Sequence, residues 1–118
     1  MKRFLAIYIG TEGSLEHERW NKLDEEERKA LEASGVNAWM EWGTANSAAI
    51  VDQGTPLGKT KRASAEGIAD IRNVMTGYVI VQAQSHEAAA SLFANHPHFT
   101  IFPGDSVEVM ECLPLPGQ

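Results

Sequence analysis

Residues 76–112 constrain the fold most strongly, because they read as strand, helix and strand in succession. Residues 78–81 (Tyr-Val-Ile-Val) are a continuous apolar run of aromatic and β-branched side chains, which is typical of a central strand. Ser85 is suited to cap the helix that follows, and Pro97 predicts its end near His96. The apolar positions of this helix keep helical spacing: Ala89, Leu92, Phe93 and His96.

Two further strands are predicted after this helix. Residues 99–102 form a short apolar run, and residues 103–105 (Pro-Gly-Asp) have the composition of a turn. Val107 and Val109 alternate with polar or exposed positions in the closing segment. This alternation predicts a sheet with one covered face and one more exposed face.

The N-terminal half predicts a strand over residues 4–9 and a long helix capped by Asp24. A glutamate three positions after Asp24 completes a capping box. Apolar spacing continues across Gly35, so we expect the helix to run to about Gly43, with Gly35 allowing a close approach to the sheet. Residues 15–23 fit either a short helix or an ordered loop.

The middle of the chain predicts a short strand at residues 48–52 and a turn at 53–56. Residues 57–64 fit a polar strand at a sheet edge, where lysine and arginine discourage further pairing. Residues 65–76 are interpreted as a loop or a short helical turn. The succession of strand, helix and strand therefore occurs twice along the chain. This repetition predicts an α+β fold with a ferredoxin-like antiparallel sheet and helices on one face.

Composition limits the classes of function. A chain of 118 residues fits one domain, residues 1–118, and a formal net charge of −6 argues against binding a nucleic-acid backbone. The single cysteine, Cys112, fits a reducing cytoplasm, and no apolar run is long enough to cross a membrane. We therefore expect a cytoplasmic protein that binds neither nucleic acid nor membrane.

Several short motifs, in their order and spacing, resemble the YCII-related proteins, including the branch named for a DGPF signature. They occupy about the last two thirds of the chain: the acid-led turn at residues 52–57, Thr60-Lys61, Gly77-Tyr78, Glu87-Ala88-Ala89 with Pro97, and Val107-Glu108-Val109. The resemblance implies a ferredoxin-like fold whose members pair into a dimeric α/β barrel. It also implies kinship with small isomerases and monooxygenases, and some members are linked to dechlorination of hydroxylated aromatics.

The sequence departs from that family in two places. Residues 54–57 (Gly-Thr-Pro-Leu) stand where the Asp-Gly-Pro-Phe signature would be. Smaller members also carry a histidine early in the first helix, paired with an aspartate as a proposed active site. The long helix here has no histidine, so that pair is not transferred to this chain.

Histidine and aspartate are the candidate catalytic residues. His96, on an apolar stripe at a predicted helix end, could serve as general acid or base; the alternative is a packed histidine bonded to a backbone carbonyl. Asp52 could act as a base or orient a cation, or it could cap the turn beside it. His98 is a candidate substrate contact, and the two histidines alone do not make a metal site.

Cationic and aromatic residues are the candidate substrate-binding groups. Lys61 and Arg62 could hold an anionic group, or they could form a solvated edge. Trp39 could form the wall of a pocket for a flat aromatic ligand, or it could lie in the core or an interface. If a cavity exists, we expect it to be lined by Trp39, Asp52, Lys61 and His96.

Two functional hypotheses follow. The first is a cofactor-free isomerase, lyase or dehydrochlorinase that acts on a small cyclic or aromatic anion, since dinucleotide, nucleotide and hydrolase motifs are absent from the sequence. The second is a non-catalytic domain that binds a small ligand or dimerises. A homodimer is expected in either case, because a four-stranded sheet leaves an edge and a face to cover. We expect Phe99, Phe102, Val107 and Val109 to supply the apolar surface.

Overall fold

The computed structural model describes residues 1–117 and arranges strands and helices along the chain in a fixed order. The elements are β1 (Lys2–Ile9), α1 (Leu15–Lys22), α2 (Glu25–Ala45), β2 (Ile50–Asp52), β3 (Thr60–Ser64), β4 (Gly67–Ile71), β5 (Met75–Ala83), α3 (His86–Ser91), α4 (Pro97–Thr100) and β6 (Ser106–Glu111). Within this described part of the chain, no helix combines the length and apolar character needed to cross a membrane.

Four strands form the main sheet in the order β2-β5-β1-β6, and every neighbouring pair is antiparallel. Helices follow the first strand and strand β5. Together with this strand order, they give the ferredoxin-like connectivity that was predicted from two successive strand-helix-strand units. Strands β3 and β4 form a separate hairpin that is inserted between β2 and β5. The predicted α+β fold with an antiparallel sheet is therefore confirmed.

The two faces of the sheet differ because side chains alternate along each strand. The helix face, packed against the helices, carries Phe4, Ala6 and Tyr8 from β1 and Val79 and Val81 from β5. The opposite face, called the open face below, carries Leu5, Ile7, Tyr78, Ile80 and Met110. Val107 and Val109 pack against the core on the helix face, so they do not supply the outward apolar surface that the sequence suggested.

Helix α2 begins as the capping box predicted, because the Asp24 carboxylate accepts a 2.8 Å hydrogen bond from the Glu27 backbone N–H. The helix continues through Gly35, as expected. A Cβ at Gly35 would lie 2.5 Å from the ring of Phe102, so the close approach is to this side chain and not to the sheet. Residues 15–22 are helical, capped by Ser14.

The structure corrects the prediction for residues 65–76, because this segment contains strand β4 and not a loop or helical turn. Thr60 pairs with Ile71 and Ser64 with Gly67, which turns with a positive φ of 108°. Most of the hairpin is exposed, so neither strand needs the apolar alternation that marks a half-buried strand.

The structure also corrects the prediction for residues 85–102. Helix α3 ends at Ser91, well before His96, and Asn95 adopts a left-handed φ of 57°. His96 is the N-cap of α4, which replaces the predicted strand at residues 99–102. Proline is favoured in the first turn of a helix, where its missing N–H costs nothing, so Pro97 begins a helix here instead of ending one.

Candidate functional site

A cleft of about 750 Å³ lies between the C-terminal half of α2 and the helix face near β2 and β5. Its inner part is aromatic and apolar, lined by Tyr8, Trp39, Trp42, Ile50 and Val79. Its exposed rim carries hydroxyl and amide groups: Thr44, Ser47, Gln53 and Thr55. Among the described residues, no acid, lysine, arginine or histidine lines it. The cleft is therefore suited to a small, largely apolar molecule with a few polar edges.

The loop after β2 forms one side of the cleft. The Asp52 carboxylate accepts a 2.8 Å hydrogen bond from the Gly54 N–H, and Gly54 has a positive φ of 66°. A Cβ at Gly54 would overlap the Tyr78 carbonyl, so only glycine fits this close approach. The Thr55 carbonyl accepts from the Tyr78 N–H at 3.3 Å, which fixes the loop against β5.

The aromatic wall is held in place by contacts between elements. The Trp42 indole N–H donates a 2.7 Å hydrogen bond to the Leu92 carbonyl. The rings of Tyr8 and Trp39 lie 4.9 Å apart, centroid to centroid, at an interplanar angle of 55°. Tilted aromatic pairs at this separation are attractive, so strand β1 and helix α2 present one continuous surface.

His96 lies behind this wall with no exposed surface. Its ring centroid is 4.5 Å from that of Trp39, 4.7 Å from Trp42 and 5.2 Å from Tyr8. Its Nδ1 accepts a 3.0 Å hydrogen bond from the His98 N–H, so the neutral ring carries its proton on Nε2. Within residues 1–117, Nε2 has no hydrogen-bond partner. Burial and the nearby His98 lower the pKa of His96 to about 4.

His98 also packs against Tyr8, at 5.3 Å between ring centroids. Its Nε2 is 2.8 Å from the Ile9 carbonyl oxygen, which can only accept, so Nε2 is the donor. Burial lowers the pKa of His98, whereas the Ile9 carbonyl and the Asp105 carboxylate oppose that shift. His98 lines a second, smaller cavity of about 210 Å³ and not the main cleft.

The remaining candidates lie apart from one another. Asp52 is exposed at the end of β2 and caps the turn that follows. Lys61 is on the hairpin, where its ammonium group lies 2.6 Å from the Asp70 carboxylate, and Arg62 is exposed beside it. Of the residues expected to line a cavity together, Trp39 lines the cleft and His96 contacts it from behind, whereas Asp52 and Lys61 do neither. The catalytic and substrate-binding roles proposed for these residues stay predictions.

Sequence reasoning missed the innermost residue of the cleft. Tyr8 was assigned to a strand but not to a site, although an aromatic residue at a helix-face position of β1 was a usable signal. The polar rim gave no signal, because Thr44, Ser47 and Gln53 are brought together only by the packing of α2 on the sheet. In the described part of the chain, no three histidine, cysteine or acidic residues gather where a metal could bind.

The fold and the cleft together define a class: a small α+β domain with a ligand-sized cleft between its long helix and an antiparallel sheet. The structure is similar to that of 5-chloro-2-hydroxyhydroquinone dehydrochlorinase (TftG) from Burkholderia phenoliruptrix AC1100, solved in complex with 2,5-dihydroxybenzoquinone. The TM-score is 0.53 at 17% sequence identity, over 92% of this chain and 90% of that one. This likeness shows a shared fold. No protein-family model and no curated protein sequence matches the chain.

Proposed function

We propose that this chain is a YCII-related domain whose cleft binds a small, planar aromatic molecule. The observation that carries the proposal is the aromatic wall of Tyr8, Trp39 and Trp42 in a cleft whose described lining holds no charged side chain. Flat rings are recognised by such walls through stacking and edge-to-face contacts. A volume of about 750 Å³ lies in the range of small-molecule sites, which span roughly 300–1,000 Å³.

The binding hypothesis is favoured over the enzyme hypothesis by the positions of the catalytic candidates. His96 is sealed behind the wall and Asp52 is engaged in a turn, so neither lines the cleft. The anionic substrate expected from the sequence depended on Lys61 and Arg62, which are exposed on the hairpin. A ligand held by ring contacts and by the hydroxyl-rich rim needs none of these four residues.

The ligand of the structural neighbour supports the choice of ligand class. TftG was solved with 2,5-dihydroxybenzoquinone, a flat six-membered ring with oxygen atoms at its edge. The flat shape of this ring, although not its acidic enol groups, matches the aromatic interior and polar rim of the present cleft. The comparison therefore supports a flat ring with oxygen atoms at its edge as the ligand class.

We further propose that the domain forms a homodimer of the dimeric α/β-barrel type. The open face carries Leu5, Tyr78 and Ile80, which are half-buried, and Met110, which is 42% exposed in the isolated chain. Ile7 on this face is already buried, and Glu108 opposite it is exposed. Covering this face with the same face of a second copy would remove apolar surface from water, which favours association. The helices occupy the opposite face, so the cleft stays accessible in such a dimer.

The indole N–H resonances of the three tryptophans provide a direct test of the cleft. Trp39 and Trp42 line it, whereas Trp20 packs against Phe102 and serves as an internal control. Titration of the ¹⁵N-labelled protein with hydroquinone should shift the Trp39 and Trp42 resonances in a saturable manner. The Trp20 resonance should stay in place. Substituting each tryptophan by phenylalanine in turn assigns the signals.

The same titration has a clear contrary outcome. Resonances that do not move at millimolar hydroquinone, or a shift confined to Trp20, would refute binding in this cleft. Trp39→Leu, which removes the aromatic ring, should weaken hydroquinone binding roughly threefold to tenfold, from the ~0.5–1.5 kcal/mol of an aromatic pair. Trp20→Leu should leave the affinity unchanged.

A further inference from the structure

The charge of the ligand is constrained by the lining of the cleft. No charged or histidine side chain is among its described lining residues. The charged residues proposed from the sequence as ligand contacts interact with other groups. Asp52 caps its turn, and Lys61 pairs with Asp70. A carboxylate that enters a mostly apolar site without a cation loses its hydration and gains no ionic partner, which is costly. A neutral ring does not meet this cost.

Tyr8 is a buried residue with a polar group among those that line the cleft. It is 5% exposed and lines the cleft from the helix face. Nearby polar groups are engaged with other partners: the Trp42 indole with Leu92, and the Thr76 hydroxyl with the Tyr8 backbone carbonyl. His98 Nε2 donates to the Ile9 carbonyl. Among the described residues, no side-chain hydrogen bond involves the Tyr8 hydroxyl.

The chemistry of this hydroxyl is that of a donor. Burial raises the pKa of Tyr8 above its ordinary value, so the phenol keeps its proton near neutral pH. His96 Nδ1 already accepts from the His98 N–H, so it does not compete for the phenol proton. A ligand oxygen that reaches this hydroxyl would meet a neutral donor.

We propose that the cleft selects neutral phenols over aryl carboxylates, and that Tyr8 determines this specificity by donating a hydrogen bond to a ring oxygen. This inference rests on the proposed function, because it names the ligand class of the same cleft. It differs from the sequence-based expectation of an anionic substrate. The neutral ring gains one hydrogen bond and stacking, whereas the carboxylate would be left without a partner.

A pair of nearly isosteric ligands tests the charge preference on the unaltered protein. At pH 7, 2,5-dihydroxybenzamide is neutral and 2,5-dihydroxybenzoate carries a carboxylate, while both share the same ring. Calorimetric or NMR titration should show the amide binding at least about fivefold more tightly, because a carboxylate buried without a partner is penalised. Equal affinities, or tighter binding of the benzoate, would overturn the inference.

Tyr8→Phe tests the donor, because it removes the hydroxyl and keeps the ring. Hydroquinone should bind roughly threefold to tenfold more weakly, the worth of one neutral hydrogen bond, whereas toluene, which lacks an acceptor, should bind unchanged. An equal loss for both ligands would assign Tyr8 a packing role only. If none of these rings binds the unaltered protein, the proposed function itself fails, and this outcome differs from binding without preference.

Discussion

At the scale of single residues, His96 shows how the cleft is supported. It is fully buried, it caps α4 through Nδ1, and its ring contacts Tyr8, Trp39 and Trp42. The sequence placed it at a helix C-terminus, where the dipole would favour its charged form. The structure places it at an N-cap inside an aromatic cage, so its neutral form is favoured. Its best supported role is to position the wall.

Substituting His96 separates this packing role from its capping role. His96→Ala should lower the free energy of unfolding by about 2–4 kcal/mol, because it leaves a cavity among three rings. His96→Asn keeps an acceptor suited to an N-cap, so it should lose about 1 kcal/mol less. Thermal unfolding measures both. A midpoint shift below about 2 °C for His96→Ala would contradict a packed role, since ~1 kcal/mol corresponds to several degrees here.

The pH dependence of stability gives a second readout of the same residue. The pKa of folded His96 is about 4, below its ordinary 6.5. The unfolded chain therefore takes up a proton first as pH falls, so this contribution to stability is complete above about pH 6.5 and is lost towards pH 4. The difference in stability between wild type and His96→Asn should shrink across that window. A difference that stays constant would contradict a lowered pKa.

At the scale of elements, the two glycines of helix α2 form a matched pair. A Cβ at Gly35 would lie 2.5 Å from the Phe102 ring, which Trp20 and Trp39 hold from other sides. A Cβ at Gly43 would meet nothing within 4 Å. Alanine is favoured over glycine in a helix by about 1 kcal/mol. Among these two positions, a steric clash opposes this gain only at Gly35.

Alanine substitution at the two positions should consequently have opposite signs. Gly43→Ala should raise the free energy of unfolding by about 0.5–1 kcal/mol, whereas Gly35→Ala should lower it by about 1–3 kcal/mol through overpacking. Urea denaturation at constant pH compares them directly. Stabilisation by both substitutions would mean that the Phe102 ring moves aside freely.

The elements that could be predicted from the sequence are those with a dense apolar run, a cap or a polar edge composition. The core strands β1 and β5 carry apolar runs, helix α2 begins at a capping box, and the lysine and arginine of β3 indicated an edge strand; all were predicted. Strand β4 was missed because a two-stranded, exposed hairpin buries too little to impose a pattern. The break between α3 and α4 was missed because a proline fits both the end of one helix and the first turn of the next.

At the scale of the whole molecule, the cleft could be predicted only in part. Trp39 was assigned to a pocket wall from its residue type, and it lines the cleft. The rim depends on where α2 ends relative to the loop after β2, which is a tertiary relation that no local pattern encodes. Lys61 lies on the β3–β4 hairpin, outside the cleft. The positive charge of a lysine does not indicate where its strand lies in the fold.

The open face of the sheet leads to the last prediction, which concerns assembly. If two copies pair through this face, Ile80→Glu should place a carboxylate in an apolar interface and shift the protein to monomer at micromolar concentration. Ile68→Glu is the matched control, because Ile68 is 76% exposed on the hairpin and lies outside the main sheet. Sedimentation equilibrium should give twice the chain mass for wild type and Ile68→Glu. A monomeric wild type, or an unaltered dimer of Ile80→Glu, would refute pairing through the open face.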